Sequence, residues 1–233
     1  EGEQFFQKVF TGDLVNDWTS REMAFGDVFG AQRQIVKFVR ANRLLPWLCS
    51  TFAVGGALFL VRHPCAVVAS QMNYGWESVN DVEVPAFLRA SSQGMEVLES
   101  LRTVEERLAA IWALDQMPPL GFANRSWKIV TYEELLLRPE ETVAGVAAHW
   151  GVPIDMEAAL RALERPSSVV STSGVKGIAG WKKQLSEDQV DRILATISNL
   201  GLNFYSRNEE ADYDNFESGA VVASLADLGI RNC

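Results

Sequence analysis

A run of five apolar residues, Ala57-Leu-Phe-Leu-Val61, constrains the fold more than any other stretch of the chain. Because polar residues do not alternate with the apolar ones, the pattern is typical of a strand buried on both faces in a parallel sheet. Arg62-His-Pro follows directly, and Pro64 suits the first position of a helix that continues through Ala66-Val-Val-Ala-Ser70. The segment therefore predicts a strand, a short polar turn and a helix in succession.

The rest of the chain supplies further strands and helices in alternation. Apolar and β-branched runs predict strands at residues 34–40 and 127–132. Capping boxes at Thr103-Val-Glu-Glu106 and Ser186-Glu-Asp-Gln189 predict two helix starts, and a third helix is expected to begin at Pro139 and end before Gly151. This alternation predicts an α/β fold with a mainly parallel sheet flanked by helices.

Composition and charge exclude several classes of protein. The 233 residues are 48% hydrophobic and 22% charged, which is ordinary for a folded chain and not for a disordered one. Thirty acidic residues against 21 basic ones give a net charge of −9, which argues against nucleic-acid binding but allows a local basic pocket for a small anion. No apolar run is long enough to span a bilayer, so no membrane partner is expected.

Cysteine and histidine are too sparse for a familiar metal site. The three cysteines form no C-x-x-C pair, and only His63 and His149 carry an imidazole. An odd and low cysteine count favours a reducing compartment, so we expect a cytoplasmic protein. His149 lies near the end of its predicted helix, where it suits the negative end of the helix dipole.

Two regions are expected along the chain. Residues 1–205 are predicted to form the main domain. Residues 206–217 carry five carboxylates and one Arg, which predicts a solvated acidic linker, and a short C-terminal helix completes the second region, 206–233.

The turn after the first strand is the strongest candidate for a binding site. Arg62 stands where a strand ends and a helix begins, so its guanidinium and the helix N–H groups are expected to converge on an anion. Ser70, about two helical turns further on, would add a hydroxyl. The alternative remains open that Arg62 forms a helix-capping ion pair and that Ser70 is a surface residue.

Three motifs in order along the chain resemble those of sulfotransferases that use 3′-phosphoadenosine 5′-phosphosulfate (PAPS), of the cytosolic and bacterial type. They are Arg62-His-Pro-Cys-Ala-Val-Val-Ala-Ser70, Val130-Thr-Tyr-Glu-Glu-Leu135 and Val175-Lys-Gly-Ile-Ala-Gly-Trp-Lys182. The resemblance covers residues 34–205. It implies a P-loop-like parallel sheet flanked by helices, and transfer of a sulfonate from PAPS to a hydroxyl of a small-molecule or carbohydrate acceptor.

The resemblance also implies roles for individual residues. Arg62, Ser70 and Lys176 would hold the 3′-phosphate of PAPS, and Tyr132 would contact the adenine. Gly177 would also belong to the cofactor-binding residues. Lys37 would be the catalytic cation beside the sulfonate. The family's chemistry implies no metal cofactor.

Three departures from the family pattern separate this chain from a typical member. No P-loop-like Gly turn with a nearby Lys precedes Gln34, so we expect the N-terminal strand and loop to be missing and the chain to have little transfer activity. Val39 stands where many members have the His that deprotonates the acceptor, and Val175 stands where Arg is usual. His63 is a further candidate for the base.

Two other functions stay open at this stage. One is a catalytically impaired, sulfotransferase-like protein that binds a nucleotide or a partner. The other is a P-loop kinase, which would need a Walker turn and a magnesium-binding Asp. The acceptor and the oligomeric state are not determined by the sequence.

Overall fold

The computed structural model describes residues 2–14, 33–75, 92–121, 125–164 and 177–217. The chain divides into two compact units, Glu1–Ala41 and Asn42–Cys233, and each is described by itself. No helix of the described ranges is long and apolar enough to cross a membrane.

The first unit contains helix α1 (Gly2–Thr11) and the irregular segment 33–40. Phe6 and Phe10 of α1 contact the Phe38 ring edge to face, with centroid distances of 5.8 and 6.1 Å. The predicted strand at residues 34–40 is wrong. Its β-branched residues Ile35 and Val39 are each 76% exposed, and this segment pairs with no described strand. A β-branched run becomes a strand only where a neighbour accepts its backbone hydrogen bonds, and the sequence alone does not reveal that neighbour.

The second unit is an α/β structure with a two-stranded parallel sheet. Strands β1 (Leu58–Val61) and β2 (Lys128–Thr131) pair in parallel, with Leu58 opposite Lys128 and Val61 opposite Thr131. The predicted strands at 57–61 and 127–132 and their parallel pairing are thus confirmed. The expected burial of β1 on both faces is wrong, because Leu60 is 55% exposed while Phe59 and Val61 are buried. The described helices of this unit are α2 (Leu45–Thr51), α3 (Pro64–Met72), α4 (Ser92–Ser100), α5 (Val104–Gly121), α6 (Tyr132–Leu137), α7 (Pro139–Trp150), α8 (Met156–Glu164), α9 (Glu187–Asn199) and α10 (Tyr213–Glu217).

The core lies around α5, which packs against α3 and α9. Leu108 and Met117 of α5, Val68 of α3 and Ile193 of α9 are each at most 1% exposed. Burying side chains of this size contributes about 1.5–3 kcal/mol each relative to leaving them exposed. The core therefore fixes α3, and with it the turn that leads from β1 into α3.

Local signals at the helix ends explain where the helices start and stop. The Thr103 hydroxyl accepts a hydrogen bond from the Glu106 amide at 3.3 Å, and the Glu106 carboxylate accepts one from the Thr103 amide at 2.9 Å. Ser186 and Gln189 form the same box ahead of α9. Gly151 ends α7 at φ 60°, in the left-handed region. The three helices predicted from these signals are confirmed, and so is the helix predicted to begin at Pro64.

Residues 206–217 make more contacts with the rest of the chain than the solvated linker that the charge pattern predicts. Glu209 pairs with Lys182, and Glu210 pairs with Arg138 at 2.8 Å. Ala211 is buried in the core cluster. Two of the five acidic side chains thus form ion pairs with cations on other elements, and the segment packs against the rest of the second unit. The C-terminal helix expected after residue 217 lies outside the described residues.

Candidate functional site

The carboxyl ends of β1 and β2 bring Arg62 and Tyr132 together. The Arg62 guanidinium carbon lies 4.5 Å from the centroid of the Tyr132 ring. The Arg62 Nε is buried and has no hydrogen-bond partner among the described residues. A guanidinium placed over an aromatic face keeps its charge and its in-plane N–H donors for a ligand. This pair, which we call the Arg62–Tyr132 pair, is the candidate anion site.

The N-terminus of α3 does not supply the backbone donors expected beside Arg62. The Cys65 amide donates to Nδ1 of His63 at 3.1 Å, and the Ala66 and Val67 amides donate to the His63 carbonyl at 3.0 and 3.1 Å. Pro64 has no N–H. The expectation that helix N–H groups and Arg62 converge on one anion is therefore wrong, because His63 caps these donors itself. Any anion bound at this turn would therefore be held by side chains.

His63 is built into the fold and is a poor candidate for a base. Its side chain is 0% exposed, and its ring stacks on Trp181 with the centroids 4.6 Å apart. Because Nδ1 accepts a hydrogen bond, Nε2 carries the proton and donates to the Ser206 carbonyl at 3.0 Å. Burial lowers the pKa of His63 to about 4. Both ring nitrogens are occupied, so neither is free to take a proton from an acceptor.

A buried carboxylate joins the two strand ends. Glu133 is 1% exposed and accepts hydrogen bonds from the His63 amide at 3.0 Å and from the Tyr205 hydroxyl at 2.9 Å. Burial raises the pKa of Glu133, and these two hydrogen bonds and the Arg62 charge oppose that rise. The pKa of Tyr205 is raised by burial and by the adjacent Glu133. The residue after Arg62 and the residue after Tyr132 are thus hydrogen-bonded to each other.

Of the other predicted site residues, two lie in described parts of the second unit. Ser70 is exposed on α3, and Gly177 is exposed ahead of the 3₁₀ turn Gly180–Lys183. Lys176 lies outside the described residues. Lys37 is exposed in the first unit. Only Arg62 and Tyr132, of the predicted set, are in described contact with each other.

A cavity of about 620 Å³ opens in the second unit, and its lining does not include Arg62. Three carboxylates line it, and two of them, Glu209 and Glu210, are paired with Lys182 and Arg138. A phosphate is disfavoured next to such a wall. The lining consists of Leu137, Ile178, Asn203, Phe204, Tyr205, Ser206, Asn208, Glu209, Glu210, Ala211 and Asp212.

Sequence reasoning missed Glu133 and Tyr205. Glu133 follows Tyr132 in Thr131-Tyr-Glu-Glu134, where Thr131 and Glu134 already form the capping box of α6. A second carboxylate in that motif, not needed for the cap, is the signal that points to Glu133. Tyr205 is 72 residues away in the chain and carries no such signal.

His149 lies in the last turn of α7, as expected, and it also has a partner outside the helix. Its Nε2 lies 3.1 Å from the Ala57 carbonyl, at the entry to β1. This hydrogen bond joins the end of α7 to the strand that carries Arg62, in addition to any interaction with the helix dipole.

Comparisons with known proteins find no family model, curated protein or solved structure that matches the chain. Within the described ranges, no cluster of three or more His, Cys, Asp or Glu side chains could hold a metal ion.

Proposed function

We propose that this chain is a sulfotransferase-type domain, with a P-loop-like fold, in which the Arg62–Tyr132 pair binds the nucleotide of PAPS. One observation carries the proposal: a guanidinium whose Nε has no partner in the described part of the chain lies against an aromatic ring at the carboxyl ends of two adjacent parallel strands. This edge of a parallel sheet is where ligands bind in open α/β folds. Arg62 supplies donors for a phosphate, and Tyr132 supplies an apolar surface for adenine.

The reaction that this proposal implies is an in-line sulfonate transfer. The acceptor oxygen forms a bond to sulfur and releases its proton to solvent water, the bond between sulfur and the oxygen of the 5′-phosphate breaks, and adenosine 3′,5′-bisphosphate leaves. In this proposal Arg62 binds the 3′-phosphate. The roles that the resemblance implies for Ser70, Lys176, Gly177 and Lys37 stay predictions. The acceptor is a small-molecule or carbohydrate hydroxyl.

A binding protein without transfer activity is the second candidate function. The use of the α3 amides by His63 favours it, since these donors are not free to stabilise charge on a ligand. The proposed base position is occupied by Val39, which has no proton-accepting group.

Titration with adenosine 3′,5′-bisphosphate, with ATP as the control, tests the proposal. We expect the bisphosphate to bind at least tenfold more tightly than ATP, because only the bisphosphate carries a 3′-phosphate for Arg62. Preference for ATP would contradict the proposal and favour a kinase. Bisphosphate binding without sulfonate release from PAPS to phenols, alcohols or sugars would support the binding protein.

A further inference from the structure

The buried carboxylate of Glu133 occupies a special place in the strand pairing. In the parallel register of β1 and β2, N–H groups of alternate β1 residues point toward β2, and the next in the series after Val61 belongs to His63. At this point the chain of β2 has already turned into α6, so no strand carbonyl is in line for that amide. The Glu133 Oε1 accepts the His63 N–H instead, at 3.0 Å.

The other oxygen of Glu133 accepts a hydrogen bond from a residue in a distant segment of the chain. Its Oε2 accepts from the Tyr205 hydroxyl at 2.9 Å, and the Tyr205 ring packs edge to face on the His63 ring, with the centroids 4.8 Å apart. Both carboxylate oxygens are therefore occupied by donors from outside α6. Helix capping does not require Glu133, because Thr131 and Glu134 complete the box.

Burying a carboxylate is costly unless its oxygens are hydrogen-bonded and its charge is balanced. Here two donors bind the oxygens, and the Arg62 charge lowers the pKa of Glu133 against the effect of burial. Such an arrangement fixes geometry more than it adds stability. Arg62 directly precedes His63, and Tyr132 directly precedes Glu133. The hydrogen bond between His63 and Glu133 therefore fixes the positions of Arg62 and Tyr132 relative to each other.

We infer that Glu133 is the positioning residue of the anion site: its carboxylate bridges the His63 amide and the Tyr205 hydroxyl, and so holds Arg62 against Tyr132. The inference rests on the proposed nucleotide site for its effect on binding. Its effect on the strand ends is independent of any ligand. Glu133 itself is not in contact with the nucleotide in this arrangement.

Three variants separate the hydrogen bonds of Glu133 from its charge. Glu133→Gln keeps an oxygen for the His63 amide and offers an N–H₂ to the Tyr205 hydroxyl, which can accept as well as donate. Glu133→Ala removes both bonds, and Tyr205→Phe removes one bond while keeping the ring. Glu140→Gln, at an exposed carboxylate on α7, is the matched control.

The affinity for adenosine 3′,5′-bisphosphate is measured for each variant at a temperature where circular dichroism shows it folded. We expect at least a tenfold loss for Glu133→Ala, about a threefold loss for Tyr205→Phe, and a change of less than threefold for Glu133→Gln and Glu140→Gln. Near-normal affinity of Glu133→Gln beside weak binding by Glu133→Ala would show that the hydrogen bonds of residue 133 position the site, which a general loss of stability would not produce. Equal affinity of the Ala variant and the wild-type protein would overturn the inference.

Hydrogen exchange of the His63 amide provides the readout that needs no ligand and no Ala variant. In Tyr205→Phe we expect this amide to exchange at least tenfold faster than in the wild-type protein, while the control variant leaves it unchanged. Unchanged exchange would overturn the positioning role, even if Glu133→Ala fails to fold. Faster exchange in a protein that binds no bisphosphate would support the bridge and contradict the proposed function.

Discussion

At the scale of single residues, His63 shows how a side chain next to a candidate site is committed to structure. Its ring caps α3 through Nδ1, binds the Ser206 carbonyl through Nε2 and stacks on Trp181. Only the neutral imidazole satisfies all of these contacts, because Nδ1 must accept. The residue is therefore a source of pH-dependent stability.

His63 predicts that the protein loses stability in mildly acidic solution. Burial lowers the pKa of His63 from 6.5 to about 4, so the unfolded chain binds a proton between these pH values and the folded one does not. The contribution is complete above pH 6.5 and decreases as the pH falls to about 4, by about 3 kcal/mol in all. Glu133, whose pKa is raised, has the opposite sign over part of this range.

Comparison with His63→Asn isolates this contribution, since Asn caps helices well and does not titrate. The free energy of unfolding is measured by denaturant titration from pH 7.5 to 4. We expect the difference between the wild-type protein and the variant to shrink steadily below pH 6.5. A difference that is independent of pH would show that His63 does not titrate as described.

At the scale of elements, contacts between the end of α7 and the start of β1 position the strand that leads to Arg62. We call these contacts the α7–β1 joint. The Trp150 Nε1–H donates to the Gly56 carbonyl, and the His149 ring lies within hydrogen-bond distance of the Ala57 carbonyl. Gly56 has φ 81°, and a Cβ placed there would lie 2.7 Å from Trp150 Cδ1. Glycine is thus required at this position by conformation and by space.

Two alanine substitutions test this joint: Gly56→Ala is the test variant and Gly151→Ala is its matched control. Gly151→Ala adds a Cβ at φ 60° into open space, so we expect a cost of about 1 kcal/mol from the backbone alone. Gly56→Ala adds the collision with Trp150 and is expected to cost at least about 2 kcal/mol more. Thermal unfolding measures both. Equal losses for the two variants would contradict the described packing of Trp150 on Gly56.

The elements that the sequence predicts correctly are those whose boundaries depend on interactions between neighbouring residues. The capping boxes at Thr103 and Ser186 and the glycine at 151 act within a few residues, so the helix boundaries that depend on them were predictable. The strand at 58–61 was predictable from its apolar run. Segment 34–40 has a similar local pattern without a described partner strand, and that difference is not encoded locally.

The candidate site also contains residues that local sequence patterns predict and residues that they do not. Arg62 and Tyr132 were predictable because each directly follows a recognisable strand. The bridge between them was not, because His63, Glu133 and Tyr205 are about 70 residues apart at each step. Contacts at such separations depend on how α3, α5 and α9 pack, which no local motif specifies.

At the scale of the whole molecule, a net charge of −9 opposes the binding of a highly charged anion. The carboxylates along the cavity at residues 203–212 add to this field. Arg62 provides a local positive charge against this field, since its Nε has no partner among the residues that the structure describes and its guanidinium lies against an apolar ring. The proposed function therefore depends on the recognition of one particular phosphate, the 3′-phosphate of the nucleotide, by Arg62.

The most direct test compares adenosine 3′,5′-bisphosphate with adenosine 5′-monophosphate on the wild-type protein and on Arg62→Ala. The two ligands differ only in the 3′-phosphate, so the ratio of their dissociation constants reports its recognition at any absolute affinity. We predict a ratio of at least ten for the wild-type protein, since a charge-assisted contact is worth about 1.5–3 kcal/mol, and a ratio near one for Arg62→Ala. Equal binding of both ligands by the wild-type protein, or a preference that survives in a folded Arg62→Ala variant, would contradict the assignment of Arg62.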